Sequence, residues 1–167
     1  MSPANTRGPV ETRRVRPEEY GTVGAITVAA YAGFTEGPDD PYLELLRDAA
    51  RRDREAEVWV ALVEGDLVGS VTVCPPGSPW REVARDGEGE FRMLAVDPRA
   101  QGLGVGRALT RLVLDRFTAD RQRAVVLSSL PQMTTAHALY ASLGFQRRPE
   151  RDHHILWAFA RDLEPGA

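Results

Sequence analysis

The chain has 167 residues, of which 43% are hydrophobic and 27% are charged, and its formal net charge is −3. This composition is typical of one globular domain and excludes a disordered chain, while the weakly acidic balance excludes the basic surface that nucleic acids require. No apolar run reaches the length of a membrane span, and the first residues lack the apolar core of a secretion signal. We therefore expect a cytoplasmic protein without membrane or nucleic-acid partners.

The first half of the chain predicts one strand, two helices and a hairpin. The stretch "VETRRV", from Val10, alternates as a strand does, and a helical pattern runs from Pro17 to about Phe34. After the breaker "TEGPDDPY", the segment "YLELLRDAARRDRE" (42–55) predicts a single second helix. The stretch "AEVWVALVEGDLVGSVTVC" then predicts two strands joined by a tight turn.

The second half predicts a proline-rich loop holding Trp80, the strand "GEFRMLAVDP", a helix entered through glycines, the strand "RAVVLSSL", the helix "TTAHALYASLG" and a last strand in "HHILWAFARDL". Alternating elements of this kind indicate an α/β (α+β) fold, a mixed sheet with helices on both faces. Cys74 ends an apolar strand, so we expect a core residue. The predicted organisation is a flexible segment 1–9, a single domain 10–163 and a tail 164–167.

The helix in "AQGLGVGRALTRLVLDRF" begins against the local rules. Gly104 and Gly106 lie in or beside its first turn, where glycine costs about 1 kcal/mol relative to alanine. No Ser, Thr, Asp or Asn is present to cap the exposed amides. A bound phosphate would act as the cap, because uncapped N–H groups and the positive end of the helix dipole attract anions. A flexible loop before an ordinary helix is the alternative, and the glycines alone favour neither.

The residues of this bend do not match two other phosphate-binding motifs. The dinucleotide fingerprint needs a third glycine where the chain has Arg107. A Walker loop needs a lysine, and all 21 basic residues are arginine. The bend therefore requires another explanation.

The stretch "EFRMLAVDPRAQGLGVGRAL" resembles the strand and pyrophosphate loop of the GNAT superfamily of N-acetyltransferases. The glutamine-x-x-glycine-x-glycine signature lies at Gln101, Gly104 and Gly106, and "AHALYASLGF" matches a second motif of the family. The resemblance covers roughly 10–163 at the level of element order. It implies a GNAT-like fold: a central mixed, largely antiparallel sheet, splayed between the fourth and fifth strands, with helices on both faces.

The resemblance also implies an activity. The expected enzyme moves an acetyl group from acetyl-CoA to a primary amine of a small molecule or peptide, directly through a tetrahedral intermediate and without a metal. The implied coenzyme-binding residues are Leu94, Ala95 and Val96 along the pantetheine arm, Gln101, Gly102, Leu103, Gly104, Val105, Gly106 and Arg107 around the pyrophosphate, and Thr134. Thr134 is included because Met133 occupies the position of an asparagine that often contacts the coenzyme in this family.

Two residues match the catalytic positions of the family. Tyr140 corresponds to the tyrosine that reprotonates the leaving thiolate. Glu90 corresponds to the base; four strand steps span about 13 Å, so a Glu90 on the same face as Leu94 would act through water. Arg92 on that face would favour the carboxylate and weaken the base. Glu88, or water alone, is the alternative base.

The acceptor site of the family is framed by the first two helices and their connection. Here that connection, "YAGFTEGPDDPY", offers an aromatic and acidic rim, which suits a cationic amine. The aromatic residues are Tyr31, Phe34 and Tyr42, and the acidic residues are Glu36, Asp39 and Asp40. The loop from Pro75 to Gly89 is expected to cover the acceptor side.

Several alternatives stay open. A non-catalytic acyl-CoA-binding sensor of the same fold would share the coenzyme motif, and an alcohol acceptor or a longer acyl donor would share the chemistry. Because dimers are common in the superfamily, the resemblance also allows a homodimer. His137 is predicted on a helix surface, and His153 and His154 in a turn and strand start, none with metal-ligand spacing.

Overall fold

The computed structural model describes residues 8–164, so most of the predicted flexible segment 1–9 and of the tail 164–167 lies outside the described residues. The strands are β1 (Val10–Arg14), β2 (Glu57–Val63), β3 (Asp66–Cys74), β4 (Glu88–Val96), β5 (Ala124–Ser129), β6 (Gln146–Arg147) and β7 (Trp157–Asp162). The helices are α1 (Tyr20–Tyr31), α2 (Tyr42–Arg47), α3 (Ala49–Glu55), α4 (Val105–Ala119) and α5 (Thr134–Ser142). Across this part of the chain, no helix has the length and apolar character needed to cross a membrane.

The seven strands form one sheet in the order β1-β2-β3-β4-β5-β7-β6. β4 and β5 pair in parallel through the α4 crossover, and the other neighbours pair antiparallel. Within residues 8–164 the parallel β4–β5 ladder stops at the pair Glu90–Val126, although β4 continues to Val96 and β5 to Ser129. The mixed sheet splayed between its fourth and fifth strands is confirmed.

The predicted single helix over 42–55 is wrong, because Asp48 divides it into α2 and α3. Asp48 has φ −82° and ψ 66°, which is outside the helical region. Its carboxylate accepts a hydrogen bond from the Arg51 N–H at 3.1 Å and so caps α3. Aspartate favours this local bond over a helix interior, which explains the break.

Helices cover both faces of the sheet, as predicted. The face that packs against α4 and α5, called the α4 face, carries the largest apolar cluster, which includes Val71, Val73, Phe91, Leu109, Phe117, Leu127 and Tyr140. The opposite α1 face packs against α1, α2 and α3 through two smaller clusters, which include Val23, Leu46, Val58, Cys74, Trp80 and Met93. Cys74 is fully buried, in agreement with its prediction as a core residue.

A β-bulge in β4 changes which side chains share a face. Ser70 pairs with Ala95, but Thr72 pairs with Arg92, so three residue steps along β4 oppose two steps along β3. Met93 has φ 53° at this irregularity. From this point on, the β4 side chains that face each side of the sheet are shifted by one residue. Residue spacing alone does not reveal this shift.

The prediction that Glu90 and Leu94 share a face is therefore wrong. Glu90 lies opposite Cys74 in the ladder and faces the α1 side. Leu94 packs against the cluster of the α4 face. The bulge sends the two side chains to opposite sides of the sheet.

Close packing between β4 and α4 generates a stability prediction. A Cβ at Gly89 would lie against the ring of Phe117, closer than side chains approach one another. Gly89→Ala is expected to lower the free energy of unfolding by about 1–3 kcal/mol through overpacking, measured by urea unfolding. Gly21→Ala on α1, where a Cβ meets no atom within 4 Å, is the matched control and should leave stability unchanged or slightly higher. Equal midpoints for both variants would contradict this contact.

Candidate functional site

A cleft of about 510 Å³ opens where β4 leaves β5. Its walls are the end of α1, the last residues of β4, the glycine bend and the first turns of α5. Predicted residues on its walls are Tyr31, Phe34, Leu94, Val96, Gln101, Gly102, Gly104, Val105, Gly106, Arg107, Thr134 and Tyr140. The cleft thus brings together most of the predicted coenzyme residues and one of the two predicted catalytic residues.

Four predicted site residues do not line this cleft: Ala95, Leu103, Tyr42 and Glu90. Ala95 faces the α1 side because of the bulge, and Leu103 packs against the cluster of the α4 face. Residues of the walls that sequence reasoning missed are Ala30, Ala100, Gln132, Met133, Thr135, Ala136 and Leu139. The spacing of Thr135, Ala136 and Leu139 marks one face of α5, but only the fold shows that this face borders a cleft.

The glycine bend presents a row of free amides. Gly102 and Gly104 have φ 82° and 80°, a left-handed conformation that favours glycine. Within residues 8–164, the backbone N–H groups from 101 to 107 have no hydrogen-bond acceptor, and α4 closes its first bond from Ala108 N–H to Gly104 C=O at 3.0 Å. No side chain caps the helix start. The amides and the positive end of the α4 dipole fit a diphosphate.

Gly106 holds the bend close to α5. A Cβ at this position would lie 3.1 Å from Leu139 Cδ2 and 3.7 Å from Val96 Cγ2. Arg107 turns its guanidinium toward the same helix, where it donates to Ser142 Oγ at 2.9 Å. The bend is therefore held against α5 by close packing at Gly106 and by the hydrogen bond from Arg107.

Tyr140 lines the cleft from α5. Its ring packs edge-on against Phe91 at 5.8 Å and near Phe145 and Phe159, and the residue is 5% exposed. In the described part of the chain this hydroxyl makes no hydrogen bond. Burial raises the pKa of Tyr140, so the phenol stays protonated at neutral pH and can donate a proton.

Tyr31 occupies the opposite wall, at the end of α1. Burial raises the pKa of its phenol, and the nearby Tyr140 adds to the shift. Phe34 lies beside it and is 41% exposed. These two rings give the cleft an apolar wall across from α5.

The acidic part of the predicted rim has another role. Asp40 accepts hydrogen bonds from the Glu36 and Tyr42 backbone N–H groups, both at 2.9 Å, which hold the α1–α2 connection in place. Tyr42 itself packs against the apolar cluster around Trp80 and does not reach the cleft. Among the described residues, the walls of the cleft carry aromatic rings and no carboxylate.

Glu90 lies fully buried below the loop between β3 and β4. Its carboxylate accepts hydrogen bonds from three consecutive backbone N–H groups, those of Glu82, Val83 and Ala84, at 2.9–3.1 Å. Burial raises the pKa of Glu90, and the three N–H groups and the Arg92 cation oppose this shift without reversing it. The weakening that we expected from Arg92 is therefore outweighed by burial.

Glu88, the alternative base, is held by an ion pair. Arg151 Nη2 lies 2.7 Å from Glu88 Oε1, and the Arg85 backbone N–H donates to the same oxygen at 2.8 Å. Burial by itself raises the pKa of Glu88, but the bonds from Arg151 and Arg85 outweigh it and lower the pKa. Glu88 is 3% exposed and lies outside the cleft.

The three histidines do not line the cleft. His137 is half-buried, not a simple surface residue: its ring stacks on Trp157 at 5.7 Å and its Nε2 lies 3.0 Å from Ser129 Oγ. Burial lowers the pKa of His137. His153 and His154 lie in the turn before β7, as predicted. Over residues 8–164 no three His, Cys, Asp or Glu side chains are grouped to hold a metal ion.

A second depression, of about 930 Å³, runs between α4 and β7. It brings together none of the predicted site residues, and its walls mix Arg111, Arg148 and Arg161 with Asp115, Asp162 and Glu164. The cleft at the glycine bend therefore remains the candidate site.

Known proteins resemble the chain in sequence. The model of the acetyltransferase (GNAT) family matches residues 24–145. Human N-acetylaspartate synthetase is 36% identical over 98 residues, which cover 59% of this chain and 30% of that protein. The mycothiol acetyltransferase of Cellulomonas flavigena is 37% identical over 116 residues, which cover 61% of this chain and 32% of that protein. The chain matches only about a third of the length of these relatives.

A solved structure resembles the fold. The PaiA N-acetyltransferase of Thermoplasma acidophilum, in complex with coenzyme A, matches with a TM-score of 0.72 and 14% identity, over 93% of this chain and 99% of that one. The element order, the splayed sheet and the family match agree. The chain belongs to the acetyltransferase (GNAT) family.

Proposed function

We propose that the chain is an N-acetyltransferase that moves an acetyl group from acetyl-CoA to a primary amine of a small molecule or peptide. The observation that carries this proposal is the row of backbone amides at 101–107 that have no hydrogen-bond acceptor. They border a cleft that Tyr140 also lines. Membership of the family supports it. The names of the two relatives, N-acetylaspartate synthetase and mycothiol acetyltransferase, support a small-molecule acceptor.

The coenzyme would be held by backbone more than by side chains. The amides from Gln101 to Arg107 donate to the diphosphate, and the left-handed glycines keep side chains out of its way. Leu94 and Val96 flank the pantetheine arm at the free end of β4, with Ala95 between them contributing its backbone. Thr134, at the start of α5, contributes a hydroxyl beside Met133.

Acetyl-CoA supplies an acetyl group activated as a thioester. We infer that the Leu94 amide polarises the acetyl carbonyl, as the family pattern implies. Tyr140 donates its proton to the departing thiolate, because burial keeps the phenol protonated until that charge forms. Tyr31 and Phe34 contact the acceptor on the opposite wall, and Tyr42 supports Tyr31 from the apolar cluster behind it.

One observation favours a second candidate, a non-catalytic acyl-CoA sensor: the walls of the cleft, as far as the chain is described, carry no carboxylate base. Thiol release from acetyl-CoA with a panel of primary amines distinguishes the two. Turnover with any amine supports the enzyme. Micromolar binding of acetyl-CoA without turnover on any acceptor supports the sensor.

Coenzyme binding is tested by Gly104→Glu. The new carboxylate, at φ 80° and beside the amide row, should repel the diphosphate and weaken CoA binding about 100-fold, on the order of 3 kcal/mol, as measured by calorimetry. Gly77→Glu, at φ 90° in open space outside the cleft, introduces the same strain and charge and should bind normally. Unchanged affinity of Gly104→Glu would refute the phosphate site.

The acid role is tested by Tyr140→Phe. Loss of the hydroxyl should lower kcat by about 10- to 100-fold and leave both KM values nearly unchanged, because the proton transfer occurs only in the transition state. Tyr20→Phe removes a hydroxyl that is bound to Asp53 at 2.8 Å, away from the cleft, and serves as the control. Wild-type kcat in Tyr140→Phe would exclude Tyr140 as the acid.

A further inference from the structure

The carboxylate of Glu90 is occupied by the protein itself. Two of its three donors, the Val83 and Ala84 N–H groups, point to the same oxygen at 2.9 Å, and the Glu82 N–H lies 3.0–3.1 Å from both oxygens. A general base needs its proton donor within about 3.2 Å or one water away. Glu90 is 0% exposed and faces the α1 side, whereas Leu94 faces the α4 side. The geometry fits an anchor better than a base.

The anchored residues belong to the segment Trp80–Arg85, which has further contacts at both ends and in its middle. At its last residue, the Arg85 backbone N–H donates to Glu88 Oε1 at 2.8 Å. Trp80 donates its indole N–H to Glu55 at 3.1 Å and is 6% exposed. Arg151 donates to the Val83 carbonyl at 2.6 Å. Without Glu90, three consecutive backbone N–H groups in the middle of the segment would lose their hydrogen-bond acceptor, at a cost in free energy for each donor that remains unpaired.

The segment reaches the cleft through packing. Trp80 and Met93 form one apolar cluster with Tyr31, whose ring is also a wall of the cleft. Glu82 forms an ion pair with Arg92, with 3.0 Å between Glu82 Oε1 and Arg92 Nη2. The Arg92 guanidinium also lies over the Trp80 ring, 5.4 Å from its centre. A shift of the segment would therefore move Trp80 and, through it, the acceptor wall at Tyr31.

We propose that Glu90, at the position of the family's base, is instead a positioning residue: it holds the segment Trp80–Arg85 on the α1 face and thereby sets the affinity for the acceptor. This inference rests on the proposed function. The ionisable groups that face Glu90 are Cys74 and Arg92 on neighbouring strand positions and Arg151 from the β6–β7 connection.

The proton balance of the reaction then does not involve Glu90. The neutral nitrogen of the acceptor adds to the thioester carbonyl and forms the C–N bond of a tetrahedral intermediate, and the C–S bond breaks when this intermediate collapses. The proton of the amine passes to water, and the thiolate takes its proton from Tyr140, which regains one from solvent. Glu88 is unsuited to replace Glu90, because Arg151 and the Arg85 amide already bind its carboxylate.

The test compares Glu90→Gln and Glu90→Ala with Glu57→Gln. Glu57 is a part-buried carboxylate paired with Arg116 at 2.8 Å on another part of the sheet, so its loss controls for general destabilisation. Hydrogen exchange at the amides of Glu82, Val83 and Ala84 should become at least about tenfold faster in Glu90→Ala and stay unchanged in Glu57→Gln. The exchange measurement needs no amine substrate.

Kinetics with the best amine of the panel supply the second readout. In Glu90→Gln the KM for the amine should rise about fivefold or more, with the KM for acetyl-CoA unchanged, kcat within about threefold, and the acid limb of the pH profile retained. Glu57→Gln should change none of these values.

Three outcomes would overturn the proposal. A fall in kcat of about 100-fold in Glu90→Gln, with loss of the acid limb, would identify Glu90 as the base. Unchanged exchange at 82–84 would refute the anchor, and faster exchange with a wild-type KM for the amine would leave Glu90 with a purely structural role. If the wild-type chain acetylates no amine, the proposed function fails, and the exchange result still decides whether Glu90 holds the segment.

Discussion

The divergence of β4 from β5 is the constraint on which the rest of the structure depends. Their parallel ladder ends at Glu90–Val126, so the later residues of β4 no longer pair with β5. A sheet that opens in this way would leave backbone groups without partners, a cost that proteins avoid unless a ligand satisfies them. Here the opening becomes a cleft, and α4 joins its two sides because it packs against β3, β4 and β5.

The bulge at Met93 sends two sets of β4 side chains to opposite faces of the sheet. Before it, Glu90 and Arg92 face the α1 side, where they hold the loop between β3 and β4. After it, Leu94 and Val96 face the α4 side and line the cleft. A single inserted residue thus separates the side chains that hold the loop from the side chains that line the cleft, although both sets lie within one strand.

The two buried carboxylates of β4 show how the kind of partner decides a pKa. Burial raises the pKa of both, because it disfavours the charged form. Glu88 meets the cations Arg151 and Arg123, and its net shift is downward. Glu90 meets three neutral amides and a more distant Arg92, and its net shift is upward. The opposite directions reflect both the deeper burial of Glu90 and the direct contact of Glu88 with a guanidinium.

The sequence by itself determined the element order, the hairpin, the glycine bend and the positions of Tyr140 and the amides from Gln101 to Arg107, because turn chemistry, periodicity and an uncapped helix start are local properties. Only the tertiary structure decided the break at Asp48, the bulge at Met93 and the partners of Glu90. The bulge is a one-residue slip of register between β3 and β4, and the partners of Glu90 belong to an irregular loop whose path no periodicity indicates. The break at Asp48 comes from one local side-chain bond that competes with the helical pattern. Residue spacing assigns a side chain to a face only while the strand stays regular, and β4 does not.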